Sequence, residues 1–518
     1  MLAERSEITS KTRLRLTFST RQAVAILFSS YILAWGGLLF SANAVYWDGW
    51  VLVSGDSTSI MDLTDQLGFP PFGLLHVVLQ GIGPVSYRVL SFLSYFIAGL
   101  SFFGVLRAHK MISINQATFA ACLFLIIPLN AARHTMATMP YAISLAAFYV
   151  AWFLIVRNKV PTMRTIIASS ALFFFSFATQ SLLVFVALPI FHLFLIQRQN
   201  VGTTLIKFIG RYWFLFALPP VFYVMKSIIW KPSGLFEGYN ELSFRSLVYG
   251  GFFLAIATVL LLLTYLRYRT RPSGLSLSLQ ILSLGIFAWA LGAFPYFAIG
   301  RTGVPLEWST RDTLLWPLGL SLIFLALVRL ASSLAGRRIA IVSGAALAVL
   351  GIVMSMSITF SYWLDWQKQN RIMELLAADD NVRASSLVVF KDDLITTNIF
   401  ASPYRFYAWT GVMSRAFSDN TRFGINESEI SRFTSGQYDN FFGPGTLYGA
   451  EDYVATDNMT EVEIFGIAGN ESRSTGLSKV YRAMRGYLGL PPLPSEVVDT
   501  GQIELRSTLI PPSDWGKK

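Results

Sequence analysis

The chain has one cysteine, Cys122, and it lies in an apolar run. No intrachain disulfide is available, so any soluble part must be held together by its own core. Charge is scarce as well: 14% of residues are Asp, Glu, Lys or Arg, against about 25% in ordinary soluble domains. The sequence contains no GxxxxGK[ST] phosphate loop, no HExxH, no CxxC and no GxSxG. ATP-driven transport, zinc proteolysis and serine hydrolysis therefore have no local motif to carry them. Only four histidines exist, His76, His109, His134 and His192, and no two share a helical face at metal-ligand spacing. Internal repeats and long low-complexity stretches are absent too.

What is abundant is apolar sequence. Hydrophobic residues make up 53% of the chain, and runs near the roughly 20 residues needed to span a bilayer recur through the first 360 positions. The composition predicts an α-helical polytopic membrane protein with a C-terminal soluble domain. Spans are expected near 23–45, 86–106, 115–132, 136–156, 165–180, 182–197, 211–229, 246–266, 275–297, 313–332 and 339–360, about eleven in all. The net charge of +11 is unevenly placed. Residues 1–360 hold 26 Lys and Arg against 10 Asp and Glu, whereas residues 361–518 hold 15 against 20. The positive excess thus belongs to the membrane part, where it reports orientation and not nucleic-acid binding. The basic N-terminus "KTRLRLTFSTR" has no cleavable-signal pattern and is expected to stay cytoplasmic. Arg107, Arg157 with Arg164, Arg198 with Lys207, Arg267 with Arg271, and Arg337 with Arg338 fall in alternate connections, which are then cytoplasmic. An odd number of spans puts the tail outside. Merging 165–180 with 182–197 would turn the later basic loops to the wrong face, so two spans are expected there.

The first outer segment, 46–85, is unusual. It carries Asp48, Asp56, Asp62 and Asp65 and neither Lys nor Arg. Charge at a membrane face is costly unless solvated or used. Within this segment "FPPFGLLHVVLQGIG", 69–83, opens on Pro-Pro and is too short to span, so it reads as a helix lying on the outer interface. Tyr46, Trp47, Trp50, Trp230, Trp308, Trp363 and Trp366 fall at expected outer boundaries, as an interfacial belt would. In the tail, "WLDWQKQNRIMELLAADDNV" reads as an amphipathic helix, and "SSLVVF", "EVEIFGIAG" and "QIELRSTLI" as strands, whereas "FTSGQYDNFFGPGTLYG" reads as irregular. A domain of α/β or α+β class follows, over 361–518.

The outer charges supply the candidates for chemistry. Asp48 closes the first span and is either a solvated helix-end carboxylate or a general base. Asp56 sits in "SGDSTS", which is turn chemistry, and Asp62 with Asp65 reads as a solvated face. Arg88 enters the second span, Arg133 and His134 lie in "PLNAARHTMATMP", and Arg301 and Arg311 flank "TGVPLEWST". The planar guanidinium fork matches phosphate oxygens, so these arginines are candidates for an outward phosphate or diphosphate site. Lipid headgroups or salt bridges to the same aspartates are the competing use.

The order of these features resembles the GT-C superfamily of membrane glycosyltransferases, in the branch of the protein mannosyltransferases and the aminoarabinose transferase of lipid A. "YWDGW" stands where the family has its first acidic loop. "FPPFGLLHVVLQGIGPVSYRVLSFLS" stands at its juxtamembrane helix, with Arg88 at the arginine position. "LIIPLNAARHTMATMPYAISLAAFYVAWFLIVR" and "LFFFSFATQSLLVFVALP" are similar to the following spans, so the likeness covers roughly 23–200. It departs where Asp48 is followed by Gly49, where "TMATMP" offers no second acid, and where Gln180 replaces a lysine. Asp56 is the candidate to stand in for the missing acid. The resemblance implies sugar transfer from a polyprenyl-phosphate-linked donor to a surface glycan, glycolipid or protein acceptor. It implies catalysis by Asp48 and Asp56, and substrate binding by Arg88, Arg133, His134, Arg301 and Arg311. No cofactor is demanded; a divalent cation, Mg or Mn, stays open. The implied setting is a bacterial inner membrane with the tail in the periplasm, and the implied partners are lipids and lipid-linked sugar, not nucleic acid. A transporter or assembly factor for lipid-linked polysaccharide, or a surface-glycan polymerase or ligase, would use the same cationic face.

Overall fold

The computed structural model describes residues 18–41, 43–108, 112–158, 160–201, 204–238, 241–267, 274–303, 308–438, 450, 452–454, 459–466 and 503–510. Helix α1 (Thr20–Trp35) starts at a capping box in which Ser19 and Gln22 exchange side-chain and backbone hydrogen bonds. The short α2 (Gly37–Phe40) follows. A Cβ at Gly37 would lie 2.5 Å from Thr359 Cγ2, so glycine lets this segment press against the last membrane helix.

Three short helices form the acidic segment 46–85: α3 (Gly49–Ser54), α4 (Ser57–Gln66) and α5 (Pro71–Ile82). The last is the helix expected over 69–83. It buries Phe72, His76 and Leu79, while Leu74, Val78 and Ile82 are 61–65% exposed. That i, i+4, i+8 apolar stripe suits a helix resting on a bilayer surface.

The bundle continues with α6 (Pro84–Ala108), α7 (Ile114–Ile126), α8 (Met139–Arg157), α9 (Met163–Ser176), α10 (Ser181–Phe185), α11 (Ala187–Val201), α12 (Leu205–Ile228), α13 (Phe244–Arg267), α14 (Gly274–Ala298), α15 (Trp316–Leu334) and α16 (Arg337–Ala378). Among the described residues, eight helical stretches are long and apolar enough to cross a bilayer: α6, α8 with the turn before it, α10–α11 together, and α12 to α16. The chain is thus a helical integral membrane protein. The other three expected spans are shorter helices. The span at 23–45 is broken around Gly36, α7 has 13 residues and α9 has 14. Pro128 ends α7 early, because the residue before proline avoids helical backbone and Ile127 is extended at ψ 129°. The stretch 165–197 does divide, at Phe177–Gln180.

Helix α16 has 42 residues, or about 63 Å at 1.5 Å per residue, twice the roughly 30 Å of a hydrocarbon core. The last expected span and the amphipathic helix expected after it are one continuous rod. The apolar 339–360 stretch is long enough to cross a bilayer, and the rest runs on into the tail. After α17 (Asp380–Arg383) come β1 (Leu387–Asp392), α18 (Phe406–Phe417), β2 (Phe423–Asn426), α19 (Ile430–Thr434), β3 (Met459–Gly466) and β4 (Ile503–Ile510). The sheet order is β2-β1-β3-β4, with β1 parallel to β2 and β3, and β4 antiparallel. The three expected strands are β1, β3 and β4. The fourth, β2, is only four residues long and contains Gly424, which leaves no alternation to read. Most of the expected irregular stretch, from 439 to 449, lies outside the described residues.

Two buried interactions fix the tail to the rod. Lys368 Nζ donates to both Asp392 oxygens at 2.7 Å, to Leu394 O at 3.0 Å and to Asn398 Oδ1 at 2.6 Å. One helical turn before the lysine is Asp365, which accepts from Tyr404 OH and from Gln369 Nε2. Burial pushes Asp365 up to about 6. Part of the expected interfacial belt is buried instead: Tyr46, Trp50 and Trp366 are covered, Trp50 by Gly411 and Trp366 by Arg415 of the tail, whereas Trp363 is exposed. Tyr46 OH donates to Tyr362 O at 2.8 Å, and only a glycine, Gly411, fits against the Trp50 ring, where a Cβ would come within 2.6 Å.

Candidate functional site

The turn after α2 passes through Trp47 at φ 47°. A bulky L-residue in the left-handed region is a true outlier, costing on the order of 1–3 kcal/mol. It delivers Asp48 to the head of α3, yet the Asp48 side chain makes no capping hydrogen bond there. The carboxylate instead faces Arg311 and the Tyr407 hydroxyl, both of which favour its ionised form. It is half-buried. Burial pushes its pKa above the usual carboxylate range, and Arg311 and Tyr407 pull back only part of that rise.

Arg311 comes from the 3₁₀ turn Trp308–Thr313. Two threonines stitch this turn to the loop before α8: the Ala132 N–H donates to Thr310 Oγ1 and the Asn130 N–H to Thr313 Oγ1, both at 3.0 Å. Asn130 sits at φ 53°, a backbone region asparagine tolerates. The next residue, Asp312, is buried, with its Oδ1 4.0 Å from Arg311 Nε. Burial raises its pKa, and Arg311 and Arg301 counter the rise. Arg311 thus stands between two carboxylates, Asp48 from the segment 46–85 and Asp312 beside it, with Arg301 acting on Asp312 and Tyr407 of the tail on Asp48.

The other sequence candidates sit elsewhere. Arg88 is buried, donating to Ala44 O and to His134 O (3.3 Å), with its guanidinium 5.3 Å from the Tyr46 ring centroid. Arg133 is buried too. It donates to Asn130 O at 3.2 Å and Leu129 O at 3.0 Å, and lies over Trp35 and Tyr95 at 4.0 and 4.3 Å. His134 stacks on Tyr362 at 4.3 Å, with Nε2 3.2 Å from Thr359 Oγ1. Carbonyls and ring faces supply what carboxylates would otherwise supply to these cations, and the three residues hold the outer loops in shape. Asp56 is exposed and caps α4, accepting from the Ser59 N–H at 2.7 Å, which keeps its carboxyl below the ordinary range. Asp62 and Asp65 are exposed, as expected for a solvated face.

Among the described residues no group of three or more His, Cys, Asp or Glu side chains could hold a metal ion. The positive charge beside Asp48 and Asp312 is supplied by arginine. No family model matches the chain, and no curated protein or solved structure is similar to it. Function therefore has to be argued from geometry.

At the end of the bundle away from Asp48 lies a cleft between helices. Its walls are mainly apolar, from Phe102, Leu106, Leu188, Phe191, Leu261 and Leu284, with His192 and Gln280 among the few polar side chains. His192 Nδ1 accepts from Trp152 Nε1 at 3.2 Å.

Two members of the cluster were not singled out from the sequence. Asp312 counts among the outer charges, and its place directly after Arg311 is the available signal. Tyr407 comes from the tail and had none.

Proposed function

We propose that the chain is a membrane glycosyltransferase that takes a sugar from a polyprenyl-phosphate-linked donor and passes it to a hydroxyl of a surface glycan, glycolipid or protein acceptor. The observation that carries this reading is the Asp48 carboxylate, half-buried, uncommitted to any helix cap, and set against Arg311. A carboxylate with a raised pKa is a better base near neutral pH. Asp48 accepts the proton of the acceptor hydroxyl as its oxygen bonds to C1 of the sugar. The C1–O bond to phosphate breaks, and polyprenyl phosphate departs with the electron pair. Arg311 and Arg301 receive its growing negative charge, where the planar fork is worth most. Arg88, Arg133 and His134 act from behind, as the staples that keep the loops in place. Eleven spans, an inward N-terminus and an outward tail complete this reading, because nucleotide sugars stay in the cytoplasm and an outward site needs a lipid-carried donor.

A second reading rests on the apolar cleft. A protein that binds a lipid-linked glycan for transport or assembly, without chemistry, would also need apolar space within the bundle. Purified protein in lipid nanodiscs, given radiolabelled polyprenyl-phosphate sugars and a panel of acceptors, separates the two. Transfer of label supports the enzyme; tight donor binding without transfer across the panel supports the carrier.

A further inference from the structure

We infer that the C-terminal domain is part of the active site, with Tyr407 as the residue that positions the Asp48 carboxylate toward the acceptor hydroxyl. This rests on the reading of Asp48 as the base.

One face of α18 touches the first outer segment along its length. Tyr407, Gly411 and Arg415 are spaced i, i+4 and i+8 and so lie in one row. Gly411 packs on the Trp50 ring and Arg415 Nη1 donates to Asn43 O at 3.1 Å, which fixes the helix in rotation and in height and turns Tyr407, in the same row, toward Asp48. Any side chain larger than glycine at 411 would lift Tyr407 away from Asp48.

The loop that leads into α18 is held in place from both parts of the protein. Phe400 and Ala401 have φ 55° and 50°, and the Phe400 ring stacks on Trp47 at 6.0 Å. Trp47 is itself left-handed at φ 47°. Strained turns on the two parts therefore meet ring to ring beside Asp48. Such strain persists only where its surroundings enforce it, and it gathers at functional sites. The enforcement is visible. Asn398 accepts from buried Lys368 at 2.6 Å and donates to Ser402 O at 2.9 Å, while Asn426 Nδ2 donates to Tyr404 O at 3.0 Å. A hydrogen bond from the Tyr407 phenol, the contact inferred here, occupies one lone pair of Asp48 and stops the carboxylate from rotating, which leaves the remaining oxygen sites for the incoming proton.

The charged groups facing Asp48 are Arg311 from the turn before α15 and Tyr407 from α18. The test uses the full chain carrying Tyr407→Phe. We expect kcat to fall roughly tenfold, as for loss of one hydrogen bond to a charged group, with the donor KM little changed. The acidic limb of kcat/KM should move to higher pH, because a group that favoured the ionised carboxylate is gone. Gly411→Leu should reproduce the loss of rate. Wild-type kcat with an unmoved limb in Tyr407→Phe would overturn the inference. A readout that needs no turnover runs beside it: thermal unfolding of Asp48→Asn, Tyr407→Phe and the double variant. Non-additive shifts in Tm are expected, and strict additivity would overturn the contact. If Asp48→Asn keeps wild-type activity, the proposed catalytic function fails, and the unfolding cycle still decides whether the tail grips Asp48.

Discussion

Asp48 and Arg311 illustrate how much a charge beside a membrane reveals and how much it hides. Asp48 stood out in the sequence because a carboxylate at the end of an apolar span must be solvated or used. Asp56 stood out equally, but "SGDSTS" folds into a helix start and spends that carboxylate on the Ser59 N–H. Arg88 and Arg133 looked like phosphate ligands by charge alone. The carbonyls that hold Arg88 and the rings that cover Arg133 come from distant segments and leave no sequence pattern, although Arg133 also bonds the nearby Leu129 and Asn130 carbonyls. The expected consequences differ accordingly. Arg311→Ala should weaken donor binding on the order of 10- to 100-fold, the range for hydrogen bonds to charged groups. It should also move the acidic limb of kcat/KM upward. The sign follows from Asp48 itself: the base must be ionised, burial already raises its pKa, and Arg311 lowers it, so removing the guanidinium raises it further. Donor affinity by equilibrium binding and a pH series of initial rates check the two halves. An unchanged affinity would remove Arg311 from the phosphate role.

At the level of elements, helix periodicity and proline signals placed α5, the long spans and three of the four strands. They missed that the last span does not stop at the membrane. Nothing in "SYWLDWQKQNRIMELL" breaks a helix, so α16 runs on as a rod into the tail. The buried Lys368–Asp392 pair then joins that rod to the end of β1 and to the loop that carries Phe400 toward Trp47. A buried charge left without its partner is expensive, typically about 3–5 kcal/mol. Lys368→Met should therefore destabilise the tail by about that amount and lower its unfolding midpoint in denaturant or heat. Lys368→Met with Asp392→Leu, which removes both charges, should recover most of the loss. A single variant as stable as wild type would mean that the pair does not hold the tail to the rod.

Over the whole molecule, composition alone announced a helical membrane protein, and eight helices of sufficient length and apolarity bear that out. The relation between membrane part and tail was not legible. Aromatic residues at span ends read as a lipid-interface belt, and several proved to be the surface on which the tail packs. Such packing depends on contacts across more than 300 residues of sequence, as from Tyr46 to Tyr362. The proposed orientation rests on the alternating basic connections and is open to test. With Cys122 replaced and a single cysteine placed at an exposed tail position such as Asp393, a membrane-impermeant thiol reagent should label intact cells; protection until the cells are opened would reverse the topology. The central claim is chemical, and Asp48 bears it. The measurement that meets it most directly is single-turnover transfer from a radiolabelled polyprenyl-phosphate sugar by wild-type protein and by Asp48→Asn, with donor affinity measured on both. Loss of a general base should slow transfer by about 100- to 10,000-fold while donor binding stays within a small factor. Transfer at the wild-type rate by the Asp48→Asn protein would contradict the mechanism.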